Sequence, residues 1–325
     1  MRSSIADEQI VGLSEITEAA QRIDDLVLRT PVIELPHPVR SDEVLHCKAE
    51  SLQPTAAFKL RGAYNAISQA LPQAREHGVL AQSSGNHARA VAFVAHRLGL
   101  HAVIVMPENT PPTKVAAVRA LGAQVELVPV AERDSRALQL AGEAEYVHVP
   151  PYDDVRVIAG QGTVGLELIE QLPNVDVVLV PVSGGGLISG VAAAVKALSP
   201  HTRVIGVEPE LAADATDSWR AGRRISWTPE QTSRTIADGL RVTEIGAHPW
   251  EHIQRYVDDF VTVSELQIYA AMRHLAVAGR LVAEPSGAVA VAAWMHDLVP
   301  AEGTVAAVVS GGSVEPALLA SVLNS

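Results

Sequence analysis

One lysine of the chain lies in a segment whose composition suits amine chemistry. The sequence QPTAAFKLRGAYN places Lys59 between a Pro/Ala turn and a helix predicted to begin near Leu60. Beside Phe58 and at a helix N-terminus, this amine would be desolvated and close to positive dipole, and both effects lower its pKa. An amine of lowered pKa is a nucleophile that can form a Schiff base. The alternative is a surface lysine on an amphipathic helix, since most lysines are solvated.

Two further segments could bind anions, because each follows an apolar strand and opens a predicted helix where free N–H groups converge. The SSGNH loop (residues 83–87) could hold a carboxylate; alternatively, Ser83 or Ser84 caps the helix and Gly85 relieves the turn. The glycine loop (residues 183–187, SGGGL) could close backbone amides around a phosphate, or it could be only a tight turn. It lacks the G-x-G-x-x-G pattern of dinucleotide-binding loops.

A fourth segment that could carry chemistry is the SGGS loop (residues 310–313), which follows the final apolar strand. Ligands of open α/β sheets bind beyond the carboxyl ends of the strands, so this loop should converge with the two before it. Ser310 could then offer its hydroxyl to a ring nitrogen or a phosphate, although alone it would be an ordinary turn residue.

The elements that must position these loops alternate between short apolar runs and segments of helical period, as in α/β proteins with parallel strands. Strands are predicted at residues 79–81, 102–106, 125–128, 177–182, 204–207, 261–263 and 305–309. Helices are predicted at residues 86–98, 113–121, 134–141, 155–171, 187–198, 265–278 and 287–296, with Gly99 and Gly122 as C-caps. We expect two open, twisted, mainly parallel sheets with helices on both faces. Residues 1–69 and 149–325 would form a large domain, and residues 70–148 a smaller mobile domain inserted in it.

The composition excludes several classes of protein. With 325 residues, 48% hydrophobic and 19% charged, the chain can bury a sizeable core and is not a disordered protein. A net charge of −12 argues against a partner that is nucleic acid or an anionic membrane. The single cysteine, Cys47, suits the cytoplasm, and residues 1–20 do not resemble a secretory signal. Four lysines could carry amine chemistry: Lys48, Lys59, Lys114 and Lys196.

In their order and chemistry, these segments resemble those of pyridoxal-phosphate enzymes of the tryptophan synthase β-chain fold type. Within that fold type they are similar to the serine/threonine dehydratase and serine racemase family. Further matching stretches are IAGQGT (158–163), TIADGL (235–240) and EPSGA (284–288). The resemblance implies that pyridoxal 5′-phosphate is the cofactor and that Lys59 forms the Schiff base and later acts as the Cα base.

The resemblance also implies the other site residues. Phe58 would pack beside the cofactor, Asn86 would bind its 3′-oxygen, and Ser310 would face the pyridine nitrogen. The phosphate would be held by backbone amides of Ser183, Gly184, Gly185, Gly186 and Leu187. The substrate carboxylate would rest on Ser83, Ser84, Gly85, Asn86 and His87. Ser84 would lie opposite Lys59, where racemases of the family use a second acid/base.

A metal site is implied by EPELAAD (208–214), in which Glu208, the carbonyl of Ala212 and Asp214 match the family's oxygen ligands. Oxygen ligands suit Mg²⁺ or Ca²⁺. The alternative is an ordinary strand end followed by a helix cap.

Several positions depart from the family pattern. Ala56 and Ala57 replace Gly-Ser before the Phe-Lys pair, Ser183 replaces a glycine, and Ser313 replaces an asparagine. Val242 stands where serine racemases carry a serine directed at the substrate hydroxyl. Arg136 is therefore the best remaining candidate to contact a polar β-substituent.

The implied reaction is β-elimination of water from a β-hydroxy amino acid such as L-threonine or L-serine, which yields a 2-oxo acid and ammonia. A hydroxyl at Ser310 stabilises a protonated pyridinium less than a carboxylate would, and this favours elimination. The alternatives are a serine-type racemase, a dehydratase for substrates like 3-hydroxyaspartate or phenylserine, and a catalytically silent ligand-binding protein. A homodimer is expected from the resemblance alone.

Overall fold

The computed structural model describes residues 10–40, 42–299 and 303–324 as a mixed α/β structure with two sheets. The strands are β1 (Val32–Pro36), β2 (Val44–Lys48), β3 (Val79–Gln82), β4 (Ala102–Pro107), β5 (Gln124–Val128), β6 (Val147–His148), β7 (Val177–Pro181), β8 (Arg203–Pro209), β9 (Asp259–Val263) and β10 (Val305–Val308).

The helices cover both faces of these sheets. They are α1 (Leu13–Ile23), α2 (Lys59–Gln69), α3 (Leu71–His77), α4 (Asn86–Leu98), α5 (Pro112–Arg119), α6 (Arg133–Glu143), α7 (Val155–Gln171), α8 (Gly186–Leu198), α9 (Asp214–Ala221), α10 (Pro229–Thr232), α11 (Ala247–Tyr256), α12 (Glu265–Val277), α13 (Pro285–Met295) and α14 (Pro316–Asn324).

The larger sheet has the strand order β1-β2-β10-β7-β8-β9, and every pair is parallel except the edge pair of β1 and β2. One face packs on α12 and α13, and the other packs on α7, α8 and α11. The inner strands are apolar on nearly every residue because both of their faces are buried. Because β2, β10 and β7 are parallel, their carboxyl ends lie at the same end of the sheet. There the chain enters the Lys59 segment, the SGGS loop and the glycine loop.

The smaller sheet has the order β5-β4-β3-β6, all parallel, and takes its strands from residues 79–148. Helices α2, α4 and α5 cover one face and α6 covers the other. Helix α2 also packs against α7 of the larger sheet, so it lies between the two sheets. The boundaries of the two domains, and the mobility of the smaller one, stay a prediction. Residues 1–9, which belong to the N-terminal stretch that does not resemble a secretory signal, lie outside the described residues. Residues 41, 300–302 and 325 also lie outside them.

The predicted fold class is confirmed, and so are the predicted strands within a residue or two of their ends. Helices α4 and α7 have the predicted bounds. Gly99 is the left-handed C-cap of α4 with φ of 66°, as predicted. Gly122 also has a positive φ, but α5 ends at Arg119 with Ala120 as its C-cap, so the assignment of Gly122 as that cap is wrong. Strands β1, β2 and β6 were not predicted.

Within the described residues, no helix is both long enough and apolar enough to span a bilayer.

Candidate active site

Lys59 is the first residue of α2 and lies in a protein environment that lowers the basicity of its amine. Its side chain is partly buried, and Nζ donates to the carbonyl oxygen of Pro151 at 2.6 Å. Nζ also lies 5.1 Å from the centre of the Phe58 ring. Burial lowers the pKa of this amine to about 8. The alternative of an exposed amphipathic helix is wrong, since every residue of α2 from Leu60 to Ile67 is buried.

An ion cluster beneath α2 fixes the helix that carries Lys59. The guanidinium of Arg61 is completely buried and binds two carboxylates, donating to both oxygens of Glu50 at 2.8 Å and to those of Glu167 at 2.7 and 2.9 Å. Lys48, also buried, donates to Glu167 at 2.6 Å. Two cations and two carboxylates balance in charge, which is the condition under which such groups tolerate burial.

The SGGS loop lies directly against the Lys59 segment. Ala57 and Gly311 form an isolated antiparallel bridge, and the Phe58 N–H donates to the carbonyl oxygen of Ser310 at 3.1 Å. Ser310 is buried, and its hydroxyl donates to the carbonyl of Ser286 over a long 3.4 Å. Because this hydrogen bond is long, the Ser310 hydroxyl could donate instead to a stronger acceptor placed nearby.

The glycine loop leads from β7 into α8, and its conformation requires glycine. Gly185 is the N-cap of α8 with φ of 90°, a region that residues with a side chain rarely adopt. A Cβ on Gly184 would overlap the ring of Tyr152, and one on Gly186 would lie 2.9 Å from the Tyr152 side chain. The Ser183 hydroxyl accepts from the Val242 N–H at 3.4 Å. Among the described residues no side chain caps α8, so the N–H groups of its first turn are available to bind an anion.

The SSGNH loop leads from β3 into α4, whose N-cap is Gly85. No side chain in the described part of the chain caps this helix, so the alternative that Ser83 or Ser84 does so is wrong. Ser83 Oγ instead accepts from the Gly85 N–H at 3.2 Å. His87 is buried, and burial lowers the pKa of its imidazole to about 3, which keeps it neutral. Its Nε2 lies 2.8 Å from the carbonyl oxygen of Val149. A carboxylate here would therefore be met by backbone N–H groups and hydroxyls, while the His87 side chain holds the loop to residue 149.

Two series of contacts connect the loops near Lys59. On one side, Lys59 binds Pro151, and the next residue, Tyr152, packs on Gly184 of the glycine loop. On the other side, Asn86 Nδ2 donates to Glu284 Oε1 at 2.6 Å. That oxygen fills the space a Cβ would occupy at Gly311. The Lys59 amine is thus linked to the glycine loop through Pro151 and Tyr152, and its charge acts on His87 of the SSGNH loop. The Phe58 N–H next to it binds the carbonyl of Ser310.

Two residues of this cluster had no role predicted from the sequence. Tyr152 follows the Pro-Pro pair of VPPYDD, which the sequence indicates only as the end of a strand–helix series. Glu284 lies within EPSGA, which carries the resemblance without an assigned function. Burial raises the pKa of Glu284 to about 7. An acidic residue in an otherwise apolar helix start was the available signal.

Arg136 lies on α6, where Nε donates to Glu126 at 2.5 Å and Nη1 lies 3.9 Å from Glu143. A contact with substrate would require its guanidinium to leave Glu126, so this role stays a prediction. Ser84 is partly buried in the SSGNH loop, and its acid/base role also stays a prediction.

The acidic segment 208–214 joins β8 to α9. Both carboxylate oxygens of Asp214 are buried and have no hydrogen-bond partner among the described residues. Glu208 is buried and accepts from the N–H groups of Ala215 and Thr216 at 3.1 and 2.6 Å. Burial raises the pKa of both carboxyls, that of Asp214 to about 7. Within the described residues, no group of three or more His, Cys, Asp or Glu side chains could hold a metal ion.

Comparisons with known proteins show the family and the fold. The family described as pyridoxal-phosphate dependent enzyme matches residues 23–311. L-threonine ammonia-lyase of Thermotoga maritima is 40% identical over 321 residues, covering 97% of this chain and 79% of that protein. The crystal structure of a threonine deaminase from T.th. superposes with a TM-score of 0.85 at 41% identity, covering 94% of this chain and 99% of that one. Maize serine racemase superposes with a TM-score of 0.88 at 36% identity, covering 97% of each chain. The chain belongs to the family of pyridoxal-phosphate-dependent enzymes.

Proposed function

We propose that this enzyme is an ammonia-lyase that eliminates water from a β-hydroxy amino acid such as L-threonine or L-serine. The observation that carries the proposal is the position of Lys59, an amine with a pKa of about 8 whose charge acts on His87 of the SSGNH loop. Its Nζ binds Pro151, next to the Tyr152 that packs on the glycine loop, and its neighbour Phe58 binds the carbonyl of Ser310. The 40% identity to an L-threonine ammonia-lyase supports threonine as a substrate.

The residues present fit pyridoxal phosphate. The glycine loop leaves no room for Cβ atoms and offers free N–H groups, which suits a phosphate at the N-terminus of α8. Lys59 would hold the cofactor covalently, Phe58 would pack beside it, and Asn86 would donate to its 3′-oxygen. Ser310 would offer its hydroxyl to the ring nitrogen. When bound, pyridoxal phosphate supplies the electron sink that makes the substrate Cα proton acidic.

The chain's own groups bind, orient and move protons. Free N–H groups at the start of α4 and the hydroxyls of Ser83 and Ser84 bind the substrate carboxylate. The Lys59 amine then accepts the Cα proton at Nζ, and its lowered pKa lets a substantial fraction be neutral near pH 7 to 8. The β-hydroxyl leaves as water after gaining a proton, and hydrolysis of the product gives the 2-oxo acid and ammonia.

Racemisation at the same site is the second candidate, favoured by Ser84 and by the likeness to maize serine racemase. A racemase needs a proton donor on the face of Cα opposite Lys59. Ser84 is the residue proposed for that position.

Three further proposals accompany the activity. Mg²⁺ or Ca²⁺ would bind Glu208, the carbonyl of Ala212 and Asp214. The buried oxygens of Asp214, which have no partner within the described residues, fit a hard cation. A cytoplasmic location is proposed on the buried, free Cys47, whose thiol pKa burial raises to about 12. A homodimer is proposed on family membership.

A substrate panel tests the activity. The enzyme loaded with pyridoxal phosphate is incubated with L- and D-serine, L-threonine, L-threo-3-hydroxyaspartate and phenylserine. Release of 2-oxo acid and ammonia is measured beside chiral analysis of the remaining amino acid. We expect 2-oxo acid from L-threonine or L-serine, lost in Lys59→Ala and retained in the matched variant Lys196→Ala. Undiminished elimination by Lys59→Ala would overturn the proposal, and inversion without 2-oxo acid would favour the racemase.

A further inference from the structure

The proposed reaction leaves one buried carboxyl of the site without a function, that of Glu284. Glu284 is only 5% exposed and stands at the N-cap of α13. Its side chain does not cap that helix. The Oε1 oxygen instead accepts from Asn86 Nδ2, 198 positions away in the chain, at 2.6 Å. The side chain is therefore directed out of its own helix and toward the SSGNH loop.

The backbone of the SGGS loop is shaped around this carboxylate. The Glu284 N–H donates to the carbonyl oxygen of Gly311 at 3.0 Å. A Cβ on Gly311 would overlap Glu284 Oε1 and lie 3.2 Å from Asn86 Nδ2, so only glycine leaves room for the pair. The hydrogen bond between Glu284 and Asn86 is thus held at the junction of the two loops that flank Lys59.

We propose that Glu284 is a positioning residue of the cofactor site, which fixes the side-chain amide of Asn86 so that its remaining N–H is presented to the cofactor's 3′-oxygen. The inference rests on the proposed function, in which Asn86 meets that oxygen. An asparagine amide has two N–H donors and one oxygen acceptor. Reversing the amide would set its oxygen against the Glu284 carboxylate, so the carboxylate selects the orientation in which nitrogen faces both partners.

Burial, more than the surrounding charges, brings the pKa of the Glu284 carboxyl close to neutral pH. Burial raises its pKa to about 7, and the nearby Asp238 acts in the same direction. The hydrogen bond from Asn86 and the positive charges of Lys114 and Arg89 act in the opposite direction. Lys114 Nζ is itself paired with Asp238 at 2.6 Å, so these two charges partly offset each other.

A double-mutant cycle tests whether Glu284 acts through Asn86. The affinity of the cofactor-free protein for pyridoxal phosphate is measured by titration for wild type, Glu284→Ala, Asn86→Ala and the double variant, with Glu34→Gln as an exposed control. We expect each single alanine substitution to weaken the affinity for pyridoxal phosphate by about tenfold or more. The affinity of the double variant should equal, within about twofold, that of the single variant that binds pyridoxal phosphate more weakly. Glu284→Gln keeps an acceptor for Asn86 and should restore affinity to within about threefold of wild type. Multiplied effects in the double variant, or wild-type affinity in Glu284→Ala, would overturn the proposal.

A measurement on the cofactor-free protein separates this inference from the proposed function. A carboxyl whose pKa is raised from 4.5 to about 7 on folding binds its proton more tightly in the folded state, so it lowers stability as pH rises through this interval. Between pH 5 and about 8, the midpoint of thermal unfolding should fall further in wild type than in Glu284→Gln. Equal pH dependence would contradict the buried carboxyl on which the proposal depends. A wild-type chain that binds no pyridoxal phosphate would refute the proposed function and leave this comparison interpretable.

Discussion

Replacing Arg61 tests whether the buried ion cluster holds the helix that carries Lys59. In Arg61→Met the side chain keeps a similar length and apolar stem but loses the guanidinium that binds Glu50 and Glu167. Burial opposes the charged form of Glu50, but the pKa of Glu50 is held below its ordinary value by Arg61 beside it. The variant therefore leaves a charged carboxylate in the interior without its bidentate partner. Breaking a buried ion pair in this way costs about 3–5 kcal/mol of unfolding free energy.

Urea unfolding of the cofactor-free protein measures this loss directly. Arg203→Met is the matched control, because Arg203 is 40% exposed and lies 3.8 Å from Asp259, a surface pair worth below about 1 kcal/mol. Adding Glu50→Gln to Arg61→Met removes the unpaired charge and should recover at least about 1 kcal/mol. A loss in Arg61→Met no larger than that of the control would refute the reasoning, and so would a double variant less stable than Arg61→Met.

Three further predictions concern the glycine loop, the Lys59 amine and the acidic segment. Gly185→Ala, at φ of 90° and with its new Cβ 2.8 Å from Pro249, should weaken pyridoxal phosphate binding by about tenfold or more. Gly99→Ala, also at positive φ but in open space, should leave binding unchanged, and equal loss in both would contradict this. The rate at which pyridoxal phosphate is incorporated into the cofactor-free protein should rise about tenfold between pH 7 and about 9, because the neutral fraction of a Lys59 amine with a pKa of about 8 increases by that factor. A rate profile with its midpoint near pH 10 would contradict the lowered pKa. Added Mg²⁺ or Ca²⁺ should raise the thermal midpoint of wild type and not of Asp214→Asn, and an equal rise in both would exclude the proposed metal site.

The parts of the fold that could be predicted from the sequence are those whose burial is uniform along the chain. Strand β7 reads as an apolar β-branched run because both of its faces are covered, and α4 has legible ends at Asn86 and Gly99. The hairpin of β1 and β2 was missed because residues such as His46 and Lys48 interrupt its apolar pattern. The Lys48 side chain is nevertheless buried, since its charge is paired with Glu167.

The candidate site likewise has a part that the sequence predicts and a part that it does not. The loops that should bind anions could be found because glycine and hydroxyl residues follow apolar strands at fixed positions. The contacts that set their chemistry could not, since they join residues far apart in the chain. Asn86 and Glu284 are separated by 198 positions, and Arg61 and Glu167 by 106. The pKa of a group such as Glu284 depends on these neighbours and on burial, which appear only once the two sheets are assembled.

The most direct test of the central claim is to identify the lysine that binds the cofactor. The protein is loaded with pyridoxal phosphate, reduced with borohydride and digested, and the modified peptide is identified by mass spectrometry. The chain has only four lysines, so the assignment is unambiguous. We expect the reduced adduct on Lys59. An adduct on Lys48, Lys114 or Lys196 instead, or no adduct at all, would contradict it.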